Sequence, residues 1–211
     1  MEVIKEKELQ MAIHQLRFSY FLLLVILFIS TPSPSSSAKL VLKVSEFTID
    51  AICNKTLKPS FCLDILKSHA DHPHNRDIAG LARIIIYLAY SDARTTRDQI
   101  QSLIQHTDNP QLKERYNSCL KNYVDAIGDI KNAKKRLNEG NKNGLSDAAA
   151  SAMGEFNACG ENFRQPPADP STLLKSNDNM LDLSSIILVM VEFLAWSSCG
   201  VNMFDIYIYI K

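Results

Sequence analysis

The chain has no excess charge of either sign, few glycines and a single tryptophan. Its 211 residues carry 23 Lys+Arg against 23 Asp+Glu, with 7 Gly and 1 Trp. A protein that holds nucleic acid by bulk electrostatics needs a basic surface to displace counterions, and zero net charge argues against one. The glycines, at 80, 128, 140, 144, 154, 160 and 200, are scattered. None forms the clustered loop that cradles phosphates, which removes nucleotide-binding α/β folds. Gly-x-Ser-x-Gly and His-Glu-x-x-His are also missing, so neither a hydrolase elbow nor a zinc-protease helix is encoded. What remains is 46% apolar and 22% charged, a balance that suits a globular core. The feature that calls for explanation is the set of 5 Cys.

Their meaning depends on the compartment. Phe18 to Ile29 is apolar apart from Ser19, too short for the roughly 20 residues of a bilayer span but the length of a signal-peptide core. Arg17 precedes it, and Ser36-Ser37-Ala38 supplies small residues for cleavage after Ala38. The tract Thr31 to Ser37 with its two prolines cannot continue a helix. The expectation is a secreted protein with a signal peptide over 1–38, in an oxidising compartment where cysteine pairs are disulfides. Loss of 1–38 removes three acidic and three basic side chains, so the mature chain stays neutral. Asn54-Lys55-Thr56 becomes a glycosylation sequon.

The pattern beyond residue 38 is helical. Residues 39–74 read as a helical hairpin broken at Pro59, with Cys53 and Cys62 on either side. A bundle of four helices over 75–195 follows. The first runs from Asp77 to about Thr107. The second starts at Pro110 and carries Tyr116, Leu120, Tyr123, Ile127, Ile130, Lys134 and Leu137 at alternating four-three spacing. Gly140 to Gly144 breaks it. Leu145, Ala149, Ala152, Phe156, Cys159 and Phe163 continue the alternation in a third helix, and a fourth begins near Ser171 as N-cap. Short connections favour antiparallel neighbours, so the fold class is all-α, an up-down-up-down four-helix bundle with an N-terminal hairpin. In such a bundle Cys119 and Cys159 lie at similar distances from the turn between their helices. Of three possible pairings, only Cys53–Cys62 with Cys119–Cys159 joins neighbours. Cys199 is left over in an atypical tail, 196–211, whose Ile206 to Ile210 alternation is strand-like. Glu192 and Asp205 argue against a membrane anchor there.

Candidate chemistry is sparse. His69, Asp71, His72 and His74 have metal-ligand chemistry, but Pro73 and the position at a helix end favour a solvated connector. His106 stands where a cation favours a helix C-terminus. Lys131, Lys134, Lys135 and Arg136 can form a docking patch for an anionic polymer or an acidic protein, although a solvated helix end is the favoured reading. Tyr87 and Tyr90 read as packing residues in preference to a sugar platform. No cofactor and no metal is expected, and the residues alone lead to a binding module.

The segment Cys53 to Cys62 closely resembles the N-terminal hairpin signature of the plant inhibitors of pectin methylesterase and invertase. So do Asp108 to Cys119, Tyr123 to Ile127, Ala148 to Cys159 with Glu161-Asn162-Phe163, and Leu181 to Ile186. The resemblance covers roughly 46–194 and implies the same bundle, the same two disulfides and a one-to-one complex with a cell-wall carbohydrate enzyme. In the invertase branch a Pro-Lys-Phe motif between the second and third bundle helices enters the target. Here that stretch reads Lys142-Asn143-Gly144, while Pro-Ser-Phe-Cys, Tyr-Asn-Ser-Cys and Asp-Ala-Ile look closer to the pectin methylesterase branch. The resemblance therefore implies a non-enzymatic, secreted inhibitor of pectin methylesterase in the apoplast that occludes the pectin-binding cleft, with acid invertase as the alternative target. A non-inhibitory bundle binding metal through His69 and His72 is the reading from another class. By helical phase, the partner would be met by Asn122, Asp125, Asp129, Asn132, Ser146 and Ser151.

Overall fold

The computed structural model describes residues 44–70 and 77–198, with side chains through 195. The expected signal peptide, Asp71, His72, His74 and the tail from Cys199 onward lie outside these residues, while 196–198 of that tail belong to the last helix. Six helices follow in order: α1 Glu46–Cys53, α2 Pro59–Ala70, α3 Ile78–His106, α4 Pro110–Asn138, α5 Lys142–Glu161 and α6 Leu173–Ser198.

Their ends are set by capping groups visible in the sequence. Ser45 accepts from Thr48 N–H at the start of α1, and Asp77 Oδ1 accepts from Gly80 N–H at 2.6 Å to open α3. Asn109 caps α4 through Gln111 and Leu112, with Pro110 in the first turn where its missing N–H costs nothing. The break before α5 is tighter than the run Gly140 to Gly144 suggests. Gly140 alone takes a left-handed backbone, φ 68°, and Asn141 already caps the next helix by accepting from Gly144 N–H at 2.9 Å. Lys142, Asn143 and Gly144 are thus the first turn of α5. At the other end, Ser171 Oγ accepts from Leu173 N–H at 3.1 Å as α6 begins.

Helices α3 to α6 form a ring in which α3 packs on α4 and α6, and α5 packs on α4 and α6. This is the antiparallel bundle expected from the short connections. Its interior holds Leu81, Ile85, Ile86, Tyr116, Tyr123, Phe156 and Met180, all nearly inaccessible. Tyr123 donates to Asn177 Oδ1 at 3.1 Å, and Asn177 Nδ2 donates to the Phe156 carbonyl at 2.9 Å. That chain satisfies the polar atoms a phenol carries into the core. Burial raises the Tyr123 hydroxyl well above its ordinary value, so it remains a donor. Near the start of α4, Arg115 donates to the carbonyls of Gln165, Pro166 and Pro167 and fixes the loop between α5 and α6. Tyr116 donates to Asp169 in the same loop at 2.6 Å.

The hairpin covers the outer side of α6. Leu57 N–H donates to Ser185 Oγ at 3.0 Å, Lys55 pairs with Glu192 at 3.1 Å, and Lys58 lies 3.9 Å from Asp182. This explains why α6 is apolar almost all round: Leu183, Ile186, Ile187, Val189, Met190, Val191 and Phe193 are all buried. Both disulfides are formed, Cys53–Cys62 within the hairpin and Cys119–Cys159 between α4 and α5.

Two expectations need correction. Lys134, placed on the inward stripe of α4, is exposed, and Ala133 takes the core position. Tyr87 does not pack: it is 63% exposed, whereas Tyr90 is half-buried against the core. Phase does not explain the first, because Lys134 stands five whole turns from buried Tyr116 and shares its angle around α4.

Candidate functional site

The Cys119–Cys159 bridge, with its Cα atoms 4.6 Å apart, fixes the register of α4 against α5. From it the helices diverge in opposite sequence directions, so each step along one is matched by a reverse step along the other. Asn122, one turn on from Cys119, donates to Glu155 Oε2 at 2.7 Å, one turn back from Cys159. On the other side of the bridge Asn162 donates to Ser118 Oγ at 3.1 Å. At the far end a Cβ added to Gly144 would come within 2.9 Å of Arg136 Cδ, so the two helices are in close contact there.

The result is a polar seam. Asn122 lies in it with its Oδ1 buried and without a hydrogen-bond partner among the described residues. Asp129 is half-buried; burial raises its carboxyl above the usual range, and the negative charges of Glu155 and Asp125 push the same way. Asp125, Asn132 and Ser151 are exposed beside it. Helical phase puts Asp125, Asp129 and Asn132 on the side of α4 that carries Asn122, and Ser151 on the side of α5 that carries Glu155. These five expected positions come together. Ser146 does not join them. It lies one turn from Lys142, whose Nζ reaches the Ala195 carbonyl at 3.5 Å, and so on the side of α5 that turns toward α6.

Glu155, Arg136, Ser118 and Asn162 belong to the seam although the sequence reading did not name them. The signal was available for Glu155: once the disulfide sets the register, it is the residue opposite Asn122. Outside the seam the same pair of helices has low relief. A Cβ built on Gly128 or Gly154 would meet nothing within 4 Å, and Ala150 and Ala158 are exposed. The seam therefore offers carboxylates, amides and a hydroxyl on a rigid, disulfide-pinned surface, which is the chemistry of recognition.

The other candidates separate. His69 Nδ1 lies 2.9 Å from the Ile65 carbonyl and the same distance from Ser68 Oγ. Among the described residues no cluster of three metal-ligating side chains occurs. His106 Nδ1 lies 2.7 Å from the Ser102 carbonyl, so the ring is turned onto the last turn of α3. The four-residue basic group is split. Arg136 turns to α5 and pairs with Glu139 at 3.3 Å, and Lys135 approaches the same carboxylate at 3.9 Å. Lys131 lies on the opposite side, its Nζ 5.8 Å from the centre of the Tyr90 ring. Asn54 is exposed at the hairpin turn, and Thr56 Oγ1 donates to the Cys53 carbonyl at 2.8 Å.

Comparison with known proteins adds to this geometry. Residues 48–190 match the family model described as plant invertase/pectin methylesterase inhibitor. The chain is 37% identical over 176 residues to a protein named pectinesterase inhibitor from Actinidia deliciosa, covering 83% of this chain and 92% of that one. It is 32% identical over 142 residues to pectinesterase inhibitor 2 of Arabidopsis thaliana, covering 67% of this chain and 81% of that protein. Among solved structures it is similar to mutant form A of a pectin methylesterase inhibitor from Arabidopsis, with TM-score 0.62 and 26% identity, over 68% of this chain and 95% of that one.

Proposed function

The chain belongs to the plant invertase/pectin methylesterase inhibitor family, and from that premise we propose that it inhibits pectin methylesterase by occlusion. The α4–α5 seam docks across the cleft in which the enzyme takes its polymer. Asp125, Asn132 and Ser151 meet the partner first, and the surface around Gly128 and Gly154 lets the two molecules approach closely. The complex is one-to-one, and the inhibitor contributes no chemistry to it. Its rigidity is what makes occlusion effective: a surface already fixed by Cys119–Cys159 loses little conformational freedom on binding. Secretion into the cell wall, with removal of 1–38 and a glycan on exposed Asn54, belongs to the same proposal.

The observation that carries the choice of target is the pair of relatives above 30% identity, both named as pectinesterase inhibitors. The first turn of α5 supports it. Lys142-Asn143-Gly144 is wound into helix beneath the Asn141 cap, so no extended loop projects between α4 and α5. Titration of the purified protein into pectin methylesterase and acid invertase assays tests the proposal. Esterase activity is expected to fall to an end point at one equivalent, with invertase untouched. Loss of invertase activity with the esterase unaffected would overturn it.

A further inference from the structure

Two features of the sequence that inhibition does not use, the tyrosines of α3 and the lysines of α4, meet on the face formed by α3 and α4. Arg83, Tyr87, Tyr90 and Arg94 follow one another at four-three-four spacing, which places them in one stripe about 16 Å long on α3. Arg83, Tyr87 and Arg94 are exposed. Arg94 and Lys131 both lie over the Tyr90 ring, at 5.6 and 5.8 Å from its centre. Because α3 and α4 run antiparallel, exposed Lys134, one turn beyond Lys131, lies at the level of Tyr87.

None of these four cations has a carboxylate within ion-pair distance among the described residues. Lys55, Lys58, Lys67, Arg97, Lys135, Arg136 and Arg164 each have one, while Lys113, Lys121 and Lys175, like these four, have no such pair among the described residues. What sets these four apart is that they gather around two tyrosines, with Arg94 and Lys131 at one ring. The two tyrosines differ in role. Tyr90 is half-buried and holds Arg94 and Lys131 by their attraction to its ring face. Tyr87 is 63% exposed and holds nothing, leaving an open aromatic ring in the middle of the cations.

We propose that this α3–α4 face binds an acidic polysaccharide, namely de-esterified pectin, the polyuronate that a methylesterase leaves behind. A chain of uronic acids presents a carboxylate on every ring and C–H faces that pack on an aromatic side chain. Arginines take carboxylates bidentately, lysines add point charge, and Tyr87 supplies the platform for a sugar ring. The stripe accommodates a short run of pyranose rings along α3. An acidic protein would match the charges, but it does not by itself call for an open ring at their centre. The face lies on the opposite side of α4 from the seam, so polymer and enzyme can be held together. The inhibitor would then be retained where ester has already been removed.

Affinity electrophoresis tests this without any enzyme, so it stands or falls separately from the inhibition proposal. The full secreted chain is run through gels containing polygalacturonate, fully methyl-esterified pectin or dextran sulfate. Retardation by polygalacturonate, absent in esterified pectin and relieved by salt, is expected. The variant R83Q/R94Q/K131Q is expected to lose about tenfold in affinity, and Tyr87→Ala to weaken polygalacturonate binding while leaving any dextran sulfate binding unchanged. All are surface substitutions, and unchanged circular-dichroism melts confirm the fold. Equal retardation of wild type and triple variant would overturn the proposal. So would polygalacturonate and dextran sulfate retarding the protein alike with no effect of Tyr87→Ala, which is polyanion attraction without sugar recognition.

Discussion

At the scale of single residues, polar groups inside the bundle decide how uniquely it packs. Tyr123 and Asn177 are both buried, and Asn177 spends its donor on the Phe156 carbonyl. Tyr123→Phe leaves Asn177 Oδ1 without that donor in an apolar surround, so urea unfolding should show a loss of about 1–3 kcal/mol with an unchanged m-value. Asp129 behaves differently. Its carboxyl is held above the ordinary range by burial first and by Glu155 and Asp125 second. A carboxyl whose folded value is raised favours the fold while protonated; that contribution is present below the unfolded value and disappears as pH rises through the folded one. Asp129→Asn should therefore raise the melting temperature at pH about 7 and leave it unchanged near pH about 3, where wild type is protonated too. The opposite trend in a pH series of melts would show that Asp129 is stabilised as the anion.

At the scale of elements, the disulfides have separate tasks. Cys53–Cys62 closes the short hairpin that covers α6; by loop-closure entropy it contributes roughly 3 kcal/mol, and Cys119–Cys159, closing the longer loop, about 4 kcal/mol. Replacing both hairpin cysteines with serine should expose the outer side of α6, read as faster hydrogen exchange at Val189 and Val191 with the interior of α4 still protected. Replacing Cys119 and Cys159 should release the seam register instead. The helices themselves were legible, because Asp77, Asn109 and Pro110 mark their ends by chemistry that acts locally. The α4–α5 boundary was less so. Gly140 and Gly144 look alike in sequence, but one supplies a positive φ and the other sits inside a helix under an asparagine cap. Which side a residue faces was harder still. Ser146 and Ser151 stand five residues apart on α5, about 140° around its axis, so only one of them can face the seam. Tyr87 has apolar neighbours in sequence, but its phase puts it off the core stripe of Leu81, Ile85 and Ala89.

At the scale of the whole molecule, zero net charge conceals two unlike faces. The seam between α4 and α5 carries Asp125, Asp129 and Glu155, while the α3–α4 face carries four unpaired cations. Composition could not show this, since both signs are averaged away. The split of Lys131 and Lys134 from Arg136 follows from their angles around α4. Recognition by a rigid surface concentrates its energy in a few central contacts, so a change in the middle of the seam should matter far more than one at its edge.

Inhibition of pectin methylesterase by the variant D125R/S151W, compared with wild type, tests occlusion by the seam most directly. Both positions are exposed, so the fold and its disulfides should survive, and the inhibition constant should rise by about a hundredfold. An inhibition constant unchanged by a cation and a bulky ring in the centre of that face would mean the enzyme is met by another surface.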